Sequence, residues 1–515
     1  MTGDRVAIVG AGVGGLCAAL DLAARGYRVD VIERASAPGG KMRQVWVDGA
    51  PIDAGPTVMT MRWAFDALFD RAGLRFDDAV KLAPLDILAR HEWPDGARLD
   101  LFADVDRSAA AIAAFAGPSA EDGFRRFHRD AQRMFDILRA PYLAADRPSM
   151  MQFAGRVGWA SARDMAALHP FESMWSRLGR YFADQRLRQL FGRYATYCGS
   201  SPFFAPATLM LIAVVEQHGV WAIEGGMHAL AAALARAAIG KGARFHYDTL
   251  ATALQVENGR ASGVVAADGR RFDADAVIFN GDRAALRSGL LGDPARRADA
   301  AAPPQRSLSA ITWIARAKAH GFPLTRHNVF FSDDYPREFA DIGSGRLPQD
   351  PTIYVCAQDR DDDGAAPDRE RLLILVNAPA RGDADFPNAV ETDACATRTF
   401  DRLRQAGLHL EMDSGVCVTP RDFEALFPAT GGALYGMATH GWNAPFRRPG
   451  ARTRIPGLYL AGGSVHPGAG VPMACLSGQS AARILAADLA STRRSRAAAM
   501  PGGMSTQSAT TASTG

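Results

Sequence analysis

Apolar runs of strand length alternate with helix-period stretches from the start of the chain. Residues 5–9, Arg5-Val6-Ala7-Ile8-Val9, have the length and β-branched character of a buried strand. Gly10-Ala11-Gly12-Val13-Gly14-Gly15 follows directly. Residues 16–25 then carry a helical period that stops at Gly26, and 27–32 form a second β-rich run ending on Glu33. The pattern predicts strand, glycine turn, helix, strand and a terminal acid.

Further on, residues 45–57 read as a hairpin ending in a Gly-Pro turn, and 62–145 as helices with short strands such as 97–102. Residues 150–224 read as helices in which Met150, Met151, Trp159, Phe171, Met174 and Trp175 interleave with Arg156, Arg163, Arg177 and Arg180. Such a face suits either an ordinary core with solvated arginines or a surface dipping into anionic lipid. A strand, a glycine turn and an alanine-rich helix follow at 219–230. Short strands at 243–248, 253–256, 261–266 and 276–279 turn at Asn258-Gly259 and Asp268-Gly269. This run reads as a return to the first domain. Strands at 310–315, 352–356 and 372–376 and a helix over about 388–406 follow, with a Gly- and Asp-rich loop near 360–368. The last ordered unit is a strand closing on Gly462-Gly463, the segment Val465-His466-Pro467-Gly468-Ala469-Gly470-Val471-Pro472, and a helix over 474–489. From 491 onward the chain is rich in Ser, Thr, Ala, Gly and Arg and is expected to be disordered.

At 515 residues the chain exceeds what one core usually serves, so two domains are expected. A formal charge of +3 gives no case for nucleic acid. The six cysteines form no C-x-x-C pair, which argues against zinc and a disulfide framework and suits a reducing cytosol. The glycine fingerprint begins too near Met1 to leave room for a signal peptide. The longest apolar run, 205–215, is broken by Pro206 and Thr208 and is too short for a span of ~20 residues. The expectation is a soluble protein, or one resting on a membrane without crossing it.

The chemistry concentrates at the two glycine-rich ends. In a G-x-G-x-x-G, Gly10 permits the tight turn, Gly12 admits a pyrophosphate to the backbone, and Gly15 lets the helix pack on the strand. The helix N-terminus offers free N–H groups to phosphate. Glu33, eighteen residues after Gly15, suits a ribose hydroxyl and disfavours a 2′-phosphate. In Pro38-Gly39-Gly40-Lys41-Met42-Arg43 the glycines allow close approach and the two cations could face phosphates, unless the stretch is a plain surface turn. The H-P-G-x-G-x-P around His466 points to a backbone role more than to acid–base work by the imidazole. Asp130 and Arg133 are three apart on a helix-period stretch and could meet there, as a surface pair or as something more.

Taken together, Gly10-x-Gly12-x-x-Gly15 with Glu33, Pro38-Gly39-Gly40-Lys41, Asp53-Ala54-Gly55-Pro56-Thr57, Gly219-Val220-Trp221 with Gly225-Gly226-Met227, and His466 to Pro472 resemble the flavin-dependent carotenoid desaturases of the amine-oxidase-like superfamily. The matching pieces span residues 5 to about 490. Asp53 to Trp63, Phe423 to Pro428, Gly431 to Gly436 and Ala461 to Pro467 look more like desaturases acting on 1-hydroxy- or 1-methoxy-carotenoids, the hydroxyneurosporene type, than like phytoene desaturase.

The resemblance implies an α/β fold: a Rossmann-like FAD-binding domain from residues 1–80, 225–300 and 440–490, and an inserted mixed α+β substrate domain from 81–224 and 301–439, before a tail at 491–515. It implies FAD contacts at Gly10, Gly12, Gly14, Gly15, Glu33, Gly40, Lys41, Gly55, Pro56, Thr57, Ala251, Gly463, Gly470, Val471 and Pro472, and no metal. The implied reaction is hydride transfer to FAD from C-3 or C-4 of an acyclic carotenoid, with proton loss from the neighbouring carbon and a new 3,4 double bond. Positioning should dominate such chemistry. In similar desaturases an Asp and an Arg in the region of Asp130 and Arg133 are considered for the proton, and these two are carried as catalytic candidates. A carotenoid substrate also implies a peripheral enzyme on the inner, cytoplasmic face of a membrane, with 150–224 as the contact. With no second dinucleotide fingerprint, electrons would leave to oxygen, a quinone or another acceptor. The rival readings are a phytoene desaturase inserting several double bonds, an amine oxidase, and a flavin-free prenyl-lipid-binding protein of the same fold.

Overall fold

The computed structural model describes residues 3–157, 162–299, 304–360, 366–384 and 386–498. Trp159, residues 361–365 of the Gly- and Asp-rich loop and the tail from 499 lie outside the described residues.

A five-stranded parallel sheet holds the glycine turn. Its order is Leu458–Leu460, Ala276–Phe279, Arg5–Val9, Arg28–Ile32, Arg244–His246. Both faces of such a sheet are covered, so its strands read as continuous apolar runs rather than alternating ones. Val6, Ala7 and Ile8 are buried, as are all four residues of Ala276–Phe279. The helix Val13–Ala24 lies against this sheet with every residue but Ala24 buried. It packs on the helix Met227–Gly240 and on the long C-terminal helix Val471–Ala498, so three stretches far apart in sequence close one core. Leu16, Leu20 and Leu22 are fully buried in it; truncating one to Ala would cost roughly 2–5 kcal/mol.

A second sheet of seven strands runs in the order His409–Val418, Ser309–His320, Glu370–Ala378, Ile353–Ala357, His327–Phe330, Ile87–Glu92, Arg98–Phe102. It is antiparallel except where His327–Phe330 pairs with Ile87–Glu92. Helices from Val105–Ala116 to Leu211–Gln217 form a layer beside it, built around Phe124, Phe127, Phe182 and Phe191. Among the described residues no helix is long and apolar enough to cross a membrane.

One boundary differs from expectation. The C-terminal helix does not stop near 490 but continues to Ala498. Low complexity suggested disorder, yet Ala and Arg are strong helix formers, and Arg493 reaches Asp4 at 3.3 Å.

Candidate functional site

The two glycine-rich ends meet on one cavity of about 1150 Å³. The Arg5–Val9 strand delivers Gly10 at φ +100°, and Gly10 N–H donates to Ile32 O, fixing the turn against the second strand. Gly12 then caps the helix Val13–Ala24 with no side chain bonded to its first turn. The free N–H groups there border the cavity and suit an anion. A Cβ on Gly15 would fall 2.2 Å from Gly10 O, and one on Gly12 would fall 2.8 Å from Asn280 Nδ2. Gly15 therefore serves the turn from behind; of the expected cofactor residues it alone does not line the cavity. Gly10, Gly12, Gly14, Glu33, Gly40, Lys41, Gly55, Pro56, Thr57, Ala251, Gly463, Gly470, Val471 and Pro472 all do.

Glu33 is buried and accepts backbone N–H groups from Ala11 at 2.6 Å and Ala35 at 2.8 Å. Its carboxylate ties the turn to the second strand and keeps lone pairs for a ribose hydroxyl. Gly55 passes so close to Lys41 that a Cβ would fall 1.8 Å from the Lys41 carbonyl oxygen. An uncapped helix end, an acid for a ribose and a backbone cradle along one wall together fit a flavin dinucleotide.

Two expectations change, that for Lys41 and that for the pair Asp130 and Arg133. Lys41 does not reach the phosphate turn: its Nζ donates to Leu434 O at 2.5 Å and lies 5.2 Å from the centre of the Phe427 ring. Burial lowers its pKa to about 8, with Asp282 opposing. Asp130 and Arg133 do not pair with each other. Asp130 accepts from Tyr181 Oη at 2.5 Å and Arg177 at 3.1 Å, while Arg133 bonds Asp164 at 2.8 Å near the surface. Neither lines the cavity. Their three-residue spacing put them on one helix, but packing against Tyr181 and Arg177 turned Asp130 to other partners. His466 is held neutral by burial, its pKa down to about 4, and its Nε2 lies 2.9 Å from Tyr142 O and 3.1 Å from Ala145 O. It pins the Pro467–Pro472 loop to the helical layer.

Asp53, which the sequence leaves without a task, closes the cradle from below. Its carboxylate accepts the N–H groups of Met227 and of His228, capping the helix Met227–Gly240, whose own N-cap is Gly226. Gln358 brackets its backbone, accepting from Asp53 N at 3.1 Å and donating to Asp53 O at 2.8 Å. Arg448 is likewise unannounced: buried, it donates to Gly463 O at 2.9 Å and Met437 O at 3.0 Å, fastening two cavity loops.

Beyond the cradle the cavity is walled mostly by apolar side chains, among them Leu138, Phe153, Leu209, Ile212 and Phe446, and its lining includes the exposed Phe171 and Trp442. A polar cluster interrupts that wall. Thr57 Oγ1 lies 2.7 Å from Tyr354 Oη, which lies 2.7 Å from His327 Nδ1. Glu216, the acid on this part of the wall, accepts from Tyr194 Oη at 2.7 Å and Tyr197 Oη at 2.6 Å. Burial pushes its carboxyl up, and the two phenols and Arg193 pull it back. No signal in the sequence groups these residues, because they come from separate helices and strands. Among the described residues no cluster of His, Cys, Asp and Glu could hold a metal ion.

Comparison with known proteins agrees with this arrangement. Residues 13–486 match the family described as flavin containing amine oxidoreductase. A hydroxyneurosporene desaturase of Rubrivivax gelatinosus is 54% identical, over 98% of each chain. One of Cereibacter sphaeroides is 47% identical, over 95% of this chain and 99% of its own. A lycopene-forming phytoene desaturase of Pseudescherichia vulneris is 31% identical, over 94% and 99%. The crystal structure of an oxidoreductase from Methanosarcina mazei superposes with a TM-score of 0.60 at 17% identity, covering 92% of this chain and 99% of that one, a likeness of fold. The chain belongs to the flavin-containing amine oxidoreductase family and, within it, to the desaturases.

Proposed function

We propose that the protein binds FAD and introduces a 3,4 double bond into an acyclic carotenoid bearing a 1-hydroxy or 1-methoxy end, of the hydroxyneurosporene type. The single observation that carries the reading is the continuity of the cavity: one space borders both the phosphate-binding turn and a long apolar wall. The gap between 54% identity to a hydroxyneurosporene desaturase and 31% to a phytoene desaturase supports the substrate class.

Bound FAD supplies the hydride acceptor. The chain's own part is to hold and orient. The apolar wall aligns the polyene and excludes water, and the loop at Thr57, after the strand Ala50–Asp53, brings the reacting carbons to one edge of the cradle. The hydrogens removed flank a conjugated chain that stabilises positive charge, so a strong base is unnecessary.

Where the cavity reaches the surface, Phe171 is 81% exposed and lies tilted against Trp442 with ring centres 5.6 Å apart, and the exposed Met150 lines the same cavity. Bare aromatic and Met side chains at the rim of an apolar tunnel suit entry of a lipid-soluble substrate from a membrane. This supports a peripheral enzyme on the cytoplasmic face. Free cysteines accord with a reducing compartment. Electrons then leave to oxygen, a quinone or a similar acceptor.

The test is the purified protein with FAD and liposomes, offered 1-hydroxyneurosporene and phytoene separately. A red shift of the visible spectrum with the hydroxylated carotenoid alone is expected. Colour arising from phytoene would make the protein a multi-step phytoene desaturase instead. Flotation with anionic liposomes tests the membrane contact, and Phe171→Ser with Trp442→Ser should weaken it.

A further inference from the structure

Among the cations on the cavity wall, Arg34, Lys41 and Arg448 are spent on backbone carbonyls, and Arg43, next to the glycine pair of the cradle, keeps a buried Nη2 without a partner among the described residues. Arg193 is different. It opens the short turn Arg193–Cys198, lines the cavity, and stands between two aromatic faces. Its guanidinium carbon lies 5.5 Å from the Tyr197 ring centre and 5.3 Å from that of Tyr354. Among the described residues no carboxylate comes within ion-pair distance of it. Glu216 attracts it from farther off, through Tyr197.

A guanidinium keeps its charge and presents five N–H donors. Two tyrosine faces soften the cost of placing it in an apolar tunnel, and the Tyr197 hydroxyl accepts from one of its donors, which leaves others for a ligand. A pure hydrocarbon would gain nothing from it and would have to strip its hydration. A substrate oxygen would take up the unused donors.

Position narrows which oxygen. Arg193 is one tyrosine ring away from Thr57, since the Tyr354 hydroxyl lies 2.7 Å from Thr57 Oγ1. An oxygen on C-1 sits close along the chain to C-3 and C-4, so the group that holds it must stand beside the reacting carbons and not at the far end of the tunnel. We propose that Arg193 is the specificity-determining residue that binds the C-1 oxygen of the carotenoid by N–H donation, setting C-3 and C-4 at the Thr57 edge of the cradle. Because Arg193 only donates, a hydroxyl and a methoxy oxygen are both accepted. The inference rests on the desaturase reading above.

The experiment compares kcat/KM for 1-hydroxyneurosporene and for neurosporene, which lacks the oxygen, in the flavin-loaded enzyme. Arg193→Met should lower the preference for the hydroxylated substrate about tenfold or more, since a hydrogen bond to a charged group is lost. Arg193→Lys keeps a cation between the tyrosine rings and guards against a folding defect; it should lower the preference roughly three- to tenfold with flavin content unchanged. Dissociation constants of both carotenoids for the dithionite-reduced enzyme, read by tryptophan quenching, should shift in the same sense without turnover. Variants that lose activity on both substrates equally, with the ratio of dissociation constants intact, would overturn the assignment. So would an unchanged ratio in Arg193→Lys alone. A native enzyme with no preference for the hydroxylated carotenoid would instead sink the substrate reading itself.

Discussion

The phosphate turn and the polar cluster of the tunnel are both walls of the same cavity, yet they are built in opposite ways. The turn presents backbone: Gly10, Gly12 and the first N–H groups of the helix Val13–Ala24 border the cavity by position, and all of it lies within about thirty residues of sequence. The tunnel cluster works through side chains. Thr57, Arg193, Glu216, His327 and Tyr354 come from five different elements and meet only after the seven-stranded sheet and the helical layer have packed. A backbone site tolerates no added atoms, whereas a side-chain site is tuned by exchange. On the proposed reading, cofactor choice belongs to the first and substrate choice to the second.

The sharpest way to break the contrast is Gly12→Val. Its Cβ alone would fall 2.8 Å from Asn280 Nδ2 and would crowd the phosphate approach, so flavin uptake should be lost altogether. Protein that still purifies with stoichiometric flavin would place the phosphates elsewhere.

Asp53→Ala acts one level down, on the support of the turn. It removes a cap from the helix Met227–Gly240 and leaves two N–H groups unmet. A loss of about 2 kcal/mol is expected in denaturant unfolding. A value near zero would mean that water replaces the carboxylate without penalty.

Acid should find the side-chain region next. Burial holds His91 and His327 to a pKa of about 3 and His466 to about 4. Unfolded, each would take a proton below about 6.5. The unfolded state thus binds more protons between roughly pH 6.5 and 4, and stability falls as pH is lowered through that window. Each ring contributes up to about 1.4 kcal/mol per pH unit there. A melting temperature that stays level from pH 7 to pH 5 would contradict their neutral burial.

The smallest effect is expected at Asp130 and Arg133. Their partners are Tyr181, Arg177 and Asp164, outside the cavity. Asp130→Asn and Arg133→Ala should change kcat/KM by less than about threefold, as surface or half-buried ion pairs contribute little. A hundredfold loss in either would restore them to the chemistry.

What could be read in advance follows the same division. The layout of Gly10 to Glu33 and of His466 to Pro472 is legible because each puts strand, glycine turn and helix into consecutive residues. Asp53 stood in a conspicuous motif, but its meaning lay 174 residues away at Met227. Lys41 lines the expected wall but not toward phosphate, because its head turns to Leu434 on a loop folded in from the far end of the chain. The helical extension to Ala498 was hidden by composition, which speaks to complexity and not to helix propensity. Arg193, Tyr197 and Glu216 carry no spacing that sets them apart from other residues of a helical layer, and only the fold gathers them.

Whether one cavity presents a hydroxylated carotenoid to a flavin is answered by anaerobic single turnover. Flavin-loaded enzyme would be mixed with one equivalent of 1-hydroxyneurosporene, and the flavin and carotenoid bands followed together. The flavin should bleach in step with a red shift of the carotenoid, one flavin per double bond, and phytoene should leave both unchanged. Flavin that stays oxidised with the hydroxylated carotenoid and bleaches with phytoene would contradict the proposed reading.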